Sequence, residues 1–459
     1  MCMQRNNQEF LATEPIGKLL IKLAIPTVTA QIVNMLYNLV DRIYIGNMEG
    51  VGALALTGLG VCAPIILLIS AFAALVSAGG APIASISMGA GDNKKANRIL
   101  GSCFSLLVLI SIVLCAVVLI WNEEFLMLFG ASSNTIKYAT DYMGIYAVGT
   151  IFVQITLGMN AFITAQGYAK TSMLTVVIGA VINIILDPIF IFGLNMGVKG
   201  AALATVISQG VSCAWVIFFL CGDKTTLRLS KEVLGFDWKI LRNAIALGSS
   251  SFIMQASESI LFICFNSSLL LYGGDIAVGA MTILMSIMQF AMLPLQGMAQ
   301  GAQPITSYNY GAKNSERVKQ IFFLLIKWSL VFSTFLWAML MLFPNLFANA
   351  FTNDANLVDF TAKAIRVYFM AQCLFGAQIA CQMTFVAIGY AKSSILVAVM
   401  RKFILLIPLI YIVPQFMADK TTAVYLAEPI ADTISVAFCV ILFSIQFKKA
   451  LKKMETKTN

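Results

Sequence analysis

The sequence predicts an all-α integral membrane protein with twelve transmembrane helices in two pseudo-symmetric six-helix lobes. Apolar residues make up 59% of the 459 positions and charged residues only 11%, whereas soluble domains carry about 25% charged residues. The mean hydropathy is +0.88, and the two halves of the chain repeat. Lipid must therefore be the solvent for most of the surface.

Long apolar runs define the spans, because about 20 apolar residues are needed to cross a bilayer as a helix. The residues before the first run are polar and that run is long enough to span, so no cleavable signal peptide is expected. The predicted spans are 18–46, 53–80, 97–121, 136–161, 171–193, 199–221, 239–271, 277–299, 318–343, 358–388, 394–414 and 424–447.

The distribution of basic residues orients these spans, because Lys and Arg collect on the cytoplasmic side of membrane proteins. The loops predicted to lie outside hold Arg42, Lys137, Lys199, Lys363, Arg366 and Lys420. The segments predicted to lie inside hold Arg5, Lys18, Lys22, Lys94, Lys95, Arg98, Lys170, Lys224, Arg228, Lys231, Lys239, Arg242, Lys313, Arg317, Lys319 and Lys392. The bias predicts a multi-pass protein of the cell (inner) membrane with both termini cytoplasmic. It also accounts for the net charge of +9 without a nucleic-acid partner.

Histidine is absent and the ten cysteines form no CxxC motif. The missing histidine excludes His-based catalysis, metal ligation and proton relays. Most cysteines lie within apolar runs and are interpreted as small hydrophobic residues. We expect no catalytic residues, no resident metal and no cofactor.

An internal repeat divides the chain. PIASISMGAG at 82–91 resembles PITSYNYGAK at 304–313, and GYAK occurs at 167–170 and at 389–392, all at one offset of 222 residues. Halves with six spans each enter the membrane in the same sense, and in transporters of this kind substrate binds between them while one half rocks against the other. The predicted divisions are an N-lobe at 1–221, a cytoplasmic linker at 222–238, a C-lobe at 239–447 and a basic tail at 448–459.

Three polar residues of the N-lobe lie at one predicted depth. Counting 1.5 Å per helical residue, Asp41 lies about 8 Å, Asp187 about 9 Å and Thr205 about 10 Å from the outer ends of their spans. Asn183 precedes Asp187 by four residues and shares its helix face. This set suits a small monovalent cation, or a proton shared between two carboxylates. The alternatives are an interfacial carboxylate beside Arg42 for Asp41 and a polar helix end for Asp187.

Other polar residues inside the spans allow two interpretations each. Pro26 removes a backbone hydrogen bond, which gives either a hinge or a static kink. Glu258 is either a second protonation site or counter-charge for a cationic substrate, with Gln31 as a further candidate, or a carboxylate paired with Gln255 or Ser257. Further acidic candidates are Glu428 and Asp432. For Arg401 and Lys402 we expect side chains that extend to the membrane surface.

The glutamines within the spans either line a wet cavity or join helices by hydrogen bonds, and the second interpretation is favoured for each taken singly. They are Gln31, Gln154, Gln166, Gln209, Gln289, Gln372, Gln378 and Gln382.

Several segments resemble the multidrug-and-toxin-extrusion (MATE) family over essentially the whole chain, with the prokaryotic branch of DNA-damage-inducible and staphylococcal-type pumps most similar. They are LAIPTVTAQIVNMLYNLVDRIYIG in the first span, GAGDNKKAN, NAFITAQGYAK, NIILDPIFIFGLNMGVKGAALAT, and the GAKNSERV and GYAK of the second half. The resemblance implies a monomeric antiporter that exports cationic or amphipathic compounds, driven by H⁺ or Na⁺.

The resemblance also implies roles for individual residues. It places a cation site on Asp41, Asn183, Asp187 and Thr205, with Tyr37 and Asn160 at neighbouring polar positions, and it matches Pro26 to a proline at which the first helix bends. In another branch the C-lobe site has a Glu, matched by Glu258, and an Asp, for which this chain has Phe375. We therefore expect coupling through the N-lobe.

Other classes of function fit less well. A lipid or lipid-linked oligosaccharide flippase of the same superfamily is the runner-up, although such chains often carry extra helices or a strongly cationic cavity. The chain lacks the GxxxxGK[ST] motif of an ATP-driven pump. An intramembrane enzyme would need a nucleophile–base pair or a metal cluster, and a structural subunit would not need carboxylates at matched depth.

Overall fold

The computed structural model describes residues 9–223 and 225–455, and this part of the chain is helical throughout, with short connecting loops and no strand. Arg5, Lys224 and the end of the predicted tail lie outside it. The first lobe contains α1 (Ile16–Gly46), α2 (Gly52–Gly89), α3 (Asn93–Ile120), α4 (Ile136–Ala165), α5 (Ala169–Pro188, continued by a π-helical turn Ile189–Gly193) and α6 (Val198–Cys221).

The second lobe begins with Trp238–Gly311, which Gly274 divides into α7 (238–273) and α8 (275–311) through a non-helical backbone with φ of 64°. It continues with α9 (Ser315–Leu342), α10 (Ala355–Tyr368, Gln372–Leu374 and Phe375–Ala387), α11 (Ala391–Val399, Met400–Leu406, Ile407–Ile412 and Val413–Gln415) and α12 (Lys420–Glu455). Short helices Glu9–Thr13, Asn122–Leu128 and Pro344–Asn349 complete the described part. When Trp238–Gly311 is divided at Gly274 and the bent α10 is counted as one span, the described residues contain twelve membrane-length helices, as predicted.

Several helices are longer than their predicted spans. The second span, predicted to end at 80, continues to Gly89, and the eighth, predicted to end at 299, continues to Gly311. The last helix starts at Lys420 rather than 424 and includes most of the predicted tail. Hydropathy marks only the segment in lipid, whereas the extensions of α2 and α8 consist mostly of small and polar residues that are buried against protein.

Two helices of the C-lobe are irregular. The two halves of α10 meet at an angle of 48°. Residues Met400–Leu406 of α11 form a π-helical segment. Pro408 lies two residues beyond the end of this segment. A proline ring clashes with the carbonyl four residues earlier, here that of Ile404, and the proline nitrogen donates no hydrogen bond. The wider π-helical turn relieves that clash, and such segments often occur at functional sites.

Each lobe has its own apolar core. In the N-lobe, Phe162, Ile163 and Leu107 pack with Val216 at one end, while the other end has a separate cluster that contains Tyr142. In the C-lobe, the corresponding cores include Phe265 and Phe369 at one end and Phe385 and Phe443 at the other. A further apolar cluster joins the lobes on the side of the chain ends, where Leu19 and Leu23 of α1 pack with Ile305 of α8.

The lobes touch through glycines. A Cβ on Gly79 of α2 would collide with the Ala244 carbonyl of α7, and one on Gly248 would collide with the Leu75 carbonyl. Gly89 and Gly311 make the same close approach between α2 and α8. Small residues at such positions let membrane helices pack backbone to backbone.

Hydrogen bonds between the lobes lie on the same side of the molecule. Thr27 donates to the Gly297 carbonyl at 2.6 Å, Ser85 to the Pro304 carbonyl at 3.4 Å, and Arg317 to the Leu11 carbonyl at 3.1 Å. This side holds the start of α1, the end of α12 and the segment between the lobes. The lobes are therefore closed against each other on the side of the described chain ends.

The opposite half of the interface is more open. Among residues 9–223 and 225–455, the pair Gln31–Gln300, at 3.2 Å, is the hydrogen bond between the lobes that lies farthest toward that half. The arrangement is a V that opens away from the chain ends.

The glycine contact between α2 and α7 predicts a stability effect. In Gly79→Ala the new methyl group meets the Ala244 carbonyl, so we expect a loss of about 1–3 kcal/mol, typical of overpacking. Gly60→Ala in the same helix is the control, because a Cβ there meets nothing within 4 Å. Thermal unfolding in detergent measures both, and equal unfolding temperatures for the two variants would contradict the close approach.

Candidate functional site

A buried polar cluster lies inside the N-lobe. Asn183 donates to Asp187 Oδ1 at 3.3 Å and approaches Thr205 Oγ1 at 3.4 Å. The carboxyl groups of Asp41 and Asp187 lie close enough to interact electrostatically. All four side chains are buried. The structure thus brings together the four residues chosen from the sequence by depth.

Local backbone features hold this cluster in place. Asn183 and Asp187 lie one turn apart on the same face of α5. Gly197, with φ of 57°, starts α6, and Gly200 packs directly against the backbone of Phe190 at the end of α5. A larger residue at Gly200 would separate the two helices. The glycine therefore sets the distance between Asn183 on α5 and Thr205 on α6.

Three oxygens of the cluster lack hydrogen-bond donors within the described residues: Asp41 Oδ1, Asn183 Oδ1 and Asp187 Oδ2. Buried acceptors are nearly always paired, and leaving them bare is costly. Two carboxylates and one amide oxygen are the ligands that a small hard cation prefers, and a proton on one carboxylate would relieve part of the same deficit. No group of three His, Cys, Asp or Glu able to hold a metal ion occurs in the described part of the chain.

Tyrosines enclose the cluster, and sequence analysis missed two of them. The Tyr142 side chain of α4 lies beside Thr205 and interacts electrostatically with Asp41. Tyr146, one turn along, stacks on Tyr142 at a ring distance of 6.1 Å and interacts with Tyr37, which itself lies beside Asp41. The spacing of four residues places Tyr142 and Tyr146 on one face of α4, and this was the available signal. Tyrosines in an apolar span, however, also occur as anchors at the membrane interface, so the spacing alone did not point to the site.

Two predicted site residues lie elsewhere. Asn160 donates to the Ser172 carbonyl at 3.2 Å. Ser172 precedes Asp187 by fifteen residues on α5, about 22 Å along the helix. The structure therefore does not bring Asn160 into the cluster, because α4 carries it toward the opposite end of the lobe. Gln31 faces Gln300 of the C-lobe, as noted above, rather than Glu258.

Pro26 is buried in α1, which continues through it as one helix from Ile16 to Gly46. Ala24 and Val28, two residues on either side, contact Gly301 and Gly297 of α8. Pro26 therefore lies near the end of the closed interface, between the part of α1 that packs against α8 and the part that extends along the open half.

The prediction that Arg401 and Lys402 extend to the membrane surface is wrong. Each is only 4% exposed. Arg401 donates to Asp432 Oδ1 at 2.7 Å and to Glu428 Oε1 at 2.9 Å. Glu428 and Asp432 lie one turn apart on α12, so the Arg401 guanidinium reaches both carboxylates. This double pairing keeps the Arg401 side chain buried inside the C-lobe.

Glu258 is paired as well, but not with the neighbours considered from the sequence. Lys402 donates to Glu258 Oε1 at 2.7 Å, whereas Gln255 and Ser257 do not. Phe375, which replaces the expected acidic residue on α10, lies under the Arg401 guanidinium at 4.6 Å. We call the group Glu258, Arg401, Lys402, Glu428 and Asp432 the C-lobe charge cluster.

Two helical lobes closed at one end, with a polar cluster buried in one of them, define the class of multi-pass membrane transporters. Comparison with known families agrees: residues 26–189 and 250–412 match the MatE family model. The chain belongs to this family. The family is one of transporters, so the chain is not an enzyme.

Relatives match over nearly the full length. The multidrug export protein MepA of Staphylococcus haemolyticus (strain JCSC1435) is 24% identical over 443 residues, covering 95% of this chain and 96% of the relative. A ligand-bound structure of the MATE multidrug transporter DinF-BH is 34% identical, covers 96% of this chain and 98% of that chain, and has a TM-score of 0.88. The crystal structure of MATE in the bent conformation is 23% identical, with coverages of 98% and 99% and a TM-score of 0.91.

The C-lobe charge cluster predicts a strong effect of neutralising one partner. In Asp432→Asn the buried Arg401 loses one of its two carboxylates, so we expect a loss of about 3–5 kcal/mol, typical of a broken buried pair. Asp359→Asn is the control, because its pair with Lys363 is exposed and worth at most about 0.5 kcal/mol. Chemical denaturation in detergent measures both, and equally stable variants would contradict the stabilising role of the cluster.

Proposed function

We propose that the protein is an antiporter that exports cationic or amphipathic organic compounds by alternating access, coupled to inward movement of H⁺ or Na⁺. One observation carries this proposal: one side-chain oxygen each of Asp41, Asn183 and Asp187 is buried in the N-lobe with no hydrogen-bond donor among the described residues. Leaving these buried oxygens without a partner costs free energy, and binding of a small cation removes that cost.

The coupling step follows from the electrostatics of the two carboxylates. When both Asp41 and Asp187 are ionised and close together, they repel each other, and a proton or Na⁺ between them removes that repulsion. An N-lobe that packs differently with and without the cation shifts between two conformations as the cation binds and leaves. No resident cofactor is required, because the coupling ion is itself transported.

The substrate is proposed to bind in the V between the lobes. Names of relatives support a multidrug range: MepA is a multidrug export protein, and DinF-BH is a multidrug transporter. The distribution of Lys and Arg supports cytoplasmic termini in the cell membrane, so the V would open outward. The polar cluster lies within one chain, which supports function as a monomer, and nothing in the charge pattern calls for a nucleic-acid partner.

Neutralising the N-lobe carboxylates tests the coupling. In Asp41→Asn and in Asp187→Asn, we expect gradient-driven transport to fall about tenfold or more, because an amide cannot take up the proton or balance the charge of Na⁺. The measurement is efflux of a fluorescent organic cation from proteoliposomes. Asp359→Asn, an exposed carboxylate of the C-lobe, serves as the matched control and should transport like the parent. Parent-like transport by both N-lobe variants would refute coupling at this site.

The coupling ion is identified by imposing one gradient at a time. Proteoliposomes carrying the parent protein receive either a pH gradient without Na⁺ or a Na⁺ gradient at equal pH on both sides. We expect one gradient to drive efflux and the variant Asp187→Asn to abolish that response. Efflux at the same rate without either gradient would contradict antiport altogether and favour a passive or lipid-flipping activity.

A further inference from the structure

The C-lobe charge cluster is not used by the coupling mechanism above, although burying its four ionisable side chains Arg401, Lys402, Glu428 and Asp432 is expensive. Counted as ionised, it holds three carboxylates against two basic groups, a net charge of −1. Arg401 donates to both Asp432 and Glu428, and its guanidinium lies over Phe375. This half of the cluster is buried, and its one guanidinium pairs with both carboxylates.

The other half is different. The Glu258 side chain is 43% exposed, whereas that of its partner Lys402 is 5% exposed. A solute that approaches the cluster therefore meets a carboxylate and not an ammonium group. With the net charge of −1, the exposed end attracts cations.

The position of Glu258 on α7 shows where its exposed side faces. Gly248 and Phe252 contact α2 of the N-lobe, with Phe252 and Phe72 at a ring distance of 5.0 Å. Leu261 and Phe265 face the core of the C-lobe. By helical periodicity Glu258 lies between these two faces, at the border of the V. Phe262, one turn further, is 41% exposed and offers an aromatic face beside the carboxylate.

Lys402 has a second acceptor available. Glu428 Oε2 is buried and accepts no hydrogen bond among the described residues, and Glu428 interacts electrostatically with Lys402. An ammonium group has three donors, and the flexible lysine stem allows it to change partners. The π-helical segment that carries Lys402 gives a less regular backbone around it.

We propose that Lys402 is an exchangeable counter-ion in the C-lobe: it neutralises Glu258 when the V is empty and moves to Glu428 when an organic cation pairs with Glu258. The ligand class rests on the proposed function. In both states every carboxylate keeps at least one cationic partner, as a low-dielectric surrounding favours, and binding of the organic cation brings the net charge of the cluster from −1 to zero. It also makes Lys402 a determinant of specificity, because a substrate must compete with a tethered ammonium and a neutral compound cannot.

Equilibrium binding of rhodamine 6G, a fluorescent organic cation, to the purified full-length protein in detergent tests the exchange. In Lys402→Met the competitor is gone, so we expect binding about tenfold tighter than in the parent. Lys392→Met, an exposed lysine at the start of α11, is the matched control and should leave the affinity unchanged. In the background Glu258→Gln, the Lys402→Met change should no longer tighten binding.

A second variant keeps the test valid where Lys402→Met fails to fold. In Glu428→Gln the alternative acceptor loses its charge, so Lys402 stays on Glu258 and rhodamine 6G binds several-fold more weakly. Unchanged, weaker or undetectable binding in folded Lys402→Met, or parent-like affinity in Glu428→Gln, would overturn the proposal. These measurements need no ion gradient, so a protein that binds in this pattern but does not transport would refute the antiport and leave the exchange standing.

Discussion

Lipid offers no hydrogen bonds, and this constraint governs both lobes of the protein. Every polar group inside the membrane must find its partner within the protein or remain bare at a cost. The C-lobe meets the requirement with paired charges, among which Arg401 bridges Glu428 and Asp432. In the part of the chain that the structure describes, the N-lobe leaves one carboxylate oxygen each of Asp41 and Asp187 without a donor. The C-lobe therefore pairs its own buried charges, whereas the N-lobe has carboxylate oxygens that can bind a cation from outside.

This difference arose on a repeated backbone. At the offset of 222 that relates the halves, Asp187 corresponds to Leu409 and Asp41 to Ile263. In the other direction, Arg401 corresponds to Gly179, which packs so closely against Ser212 that a Cβ would touch its hydroxyl. Neither cluster has a counterpart in the other half. The duplication thus accounts for the shape of the two lobes, while their chemistry is assigned lobe by lobe.

The fold could be predicted from the sequence to a large extent, because lipid forces long apolar runs into helices and the repeat sets their grouping. The four N-lobe residues could also be predicted, since depth along a helix is simple arithmetic. The C-lobe pairs could not, because Lys402 and Glu258 are 144 residues apart and their contact depends on how α11 and α7 face each other. Tyr142 was missed for the same reason: periodicity gives its face on α4, but not the helix that the face meets.

The contacts between the lobes differ in kind from the contacts within them. The ion pairs Lys199–Asp141, Arg401–Asp432 and Lys402–Glu258 each lie within one lobe. The lobes meet through close glycine contacts such as those of Gly79 and Gly248, through apolar side chains and through hydrogen bonds such as that of Thr27 to the Gly297 carbonyl. Separating two helices at a glycine contact exposes little more than backbone that is already bonded within its own helix. Separating an ion pair would strand a charge in lipid at a cost of several kcal/mol. An interface of the first kind can open and close repeatedly while the charges stay paired inside the moving bodies, and rocking of whole lobes depends on that division.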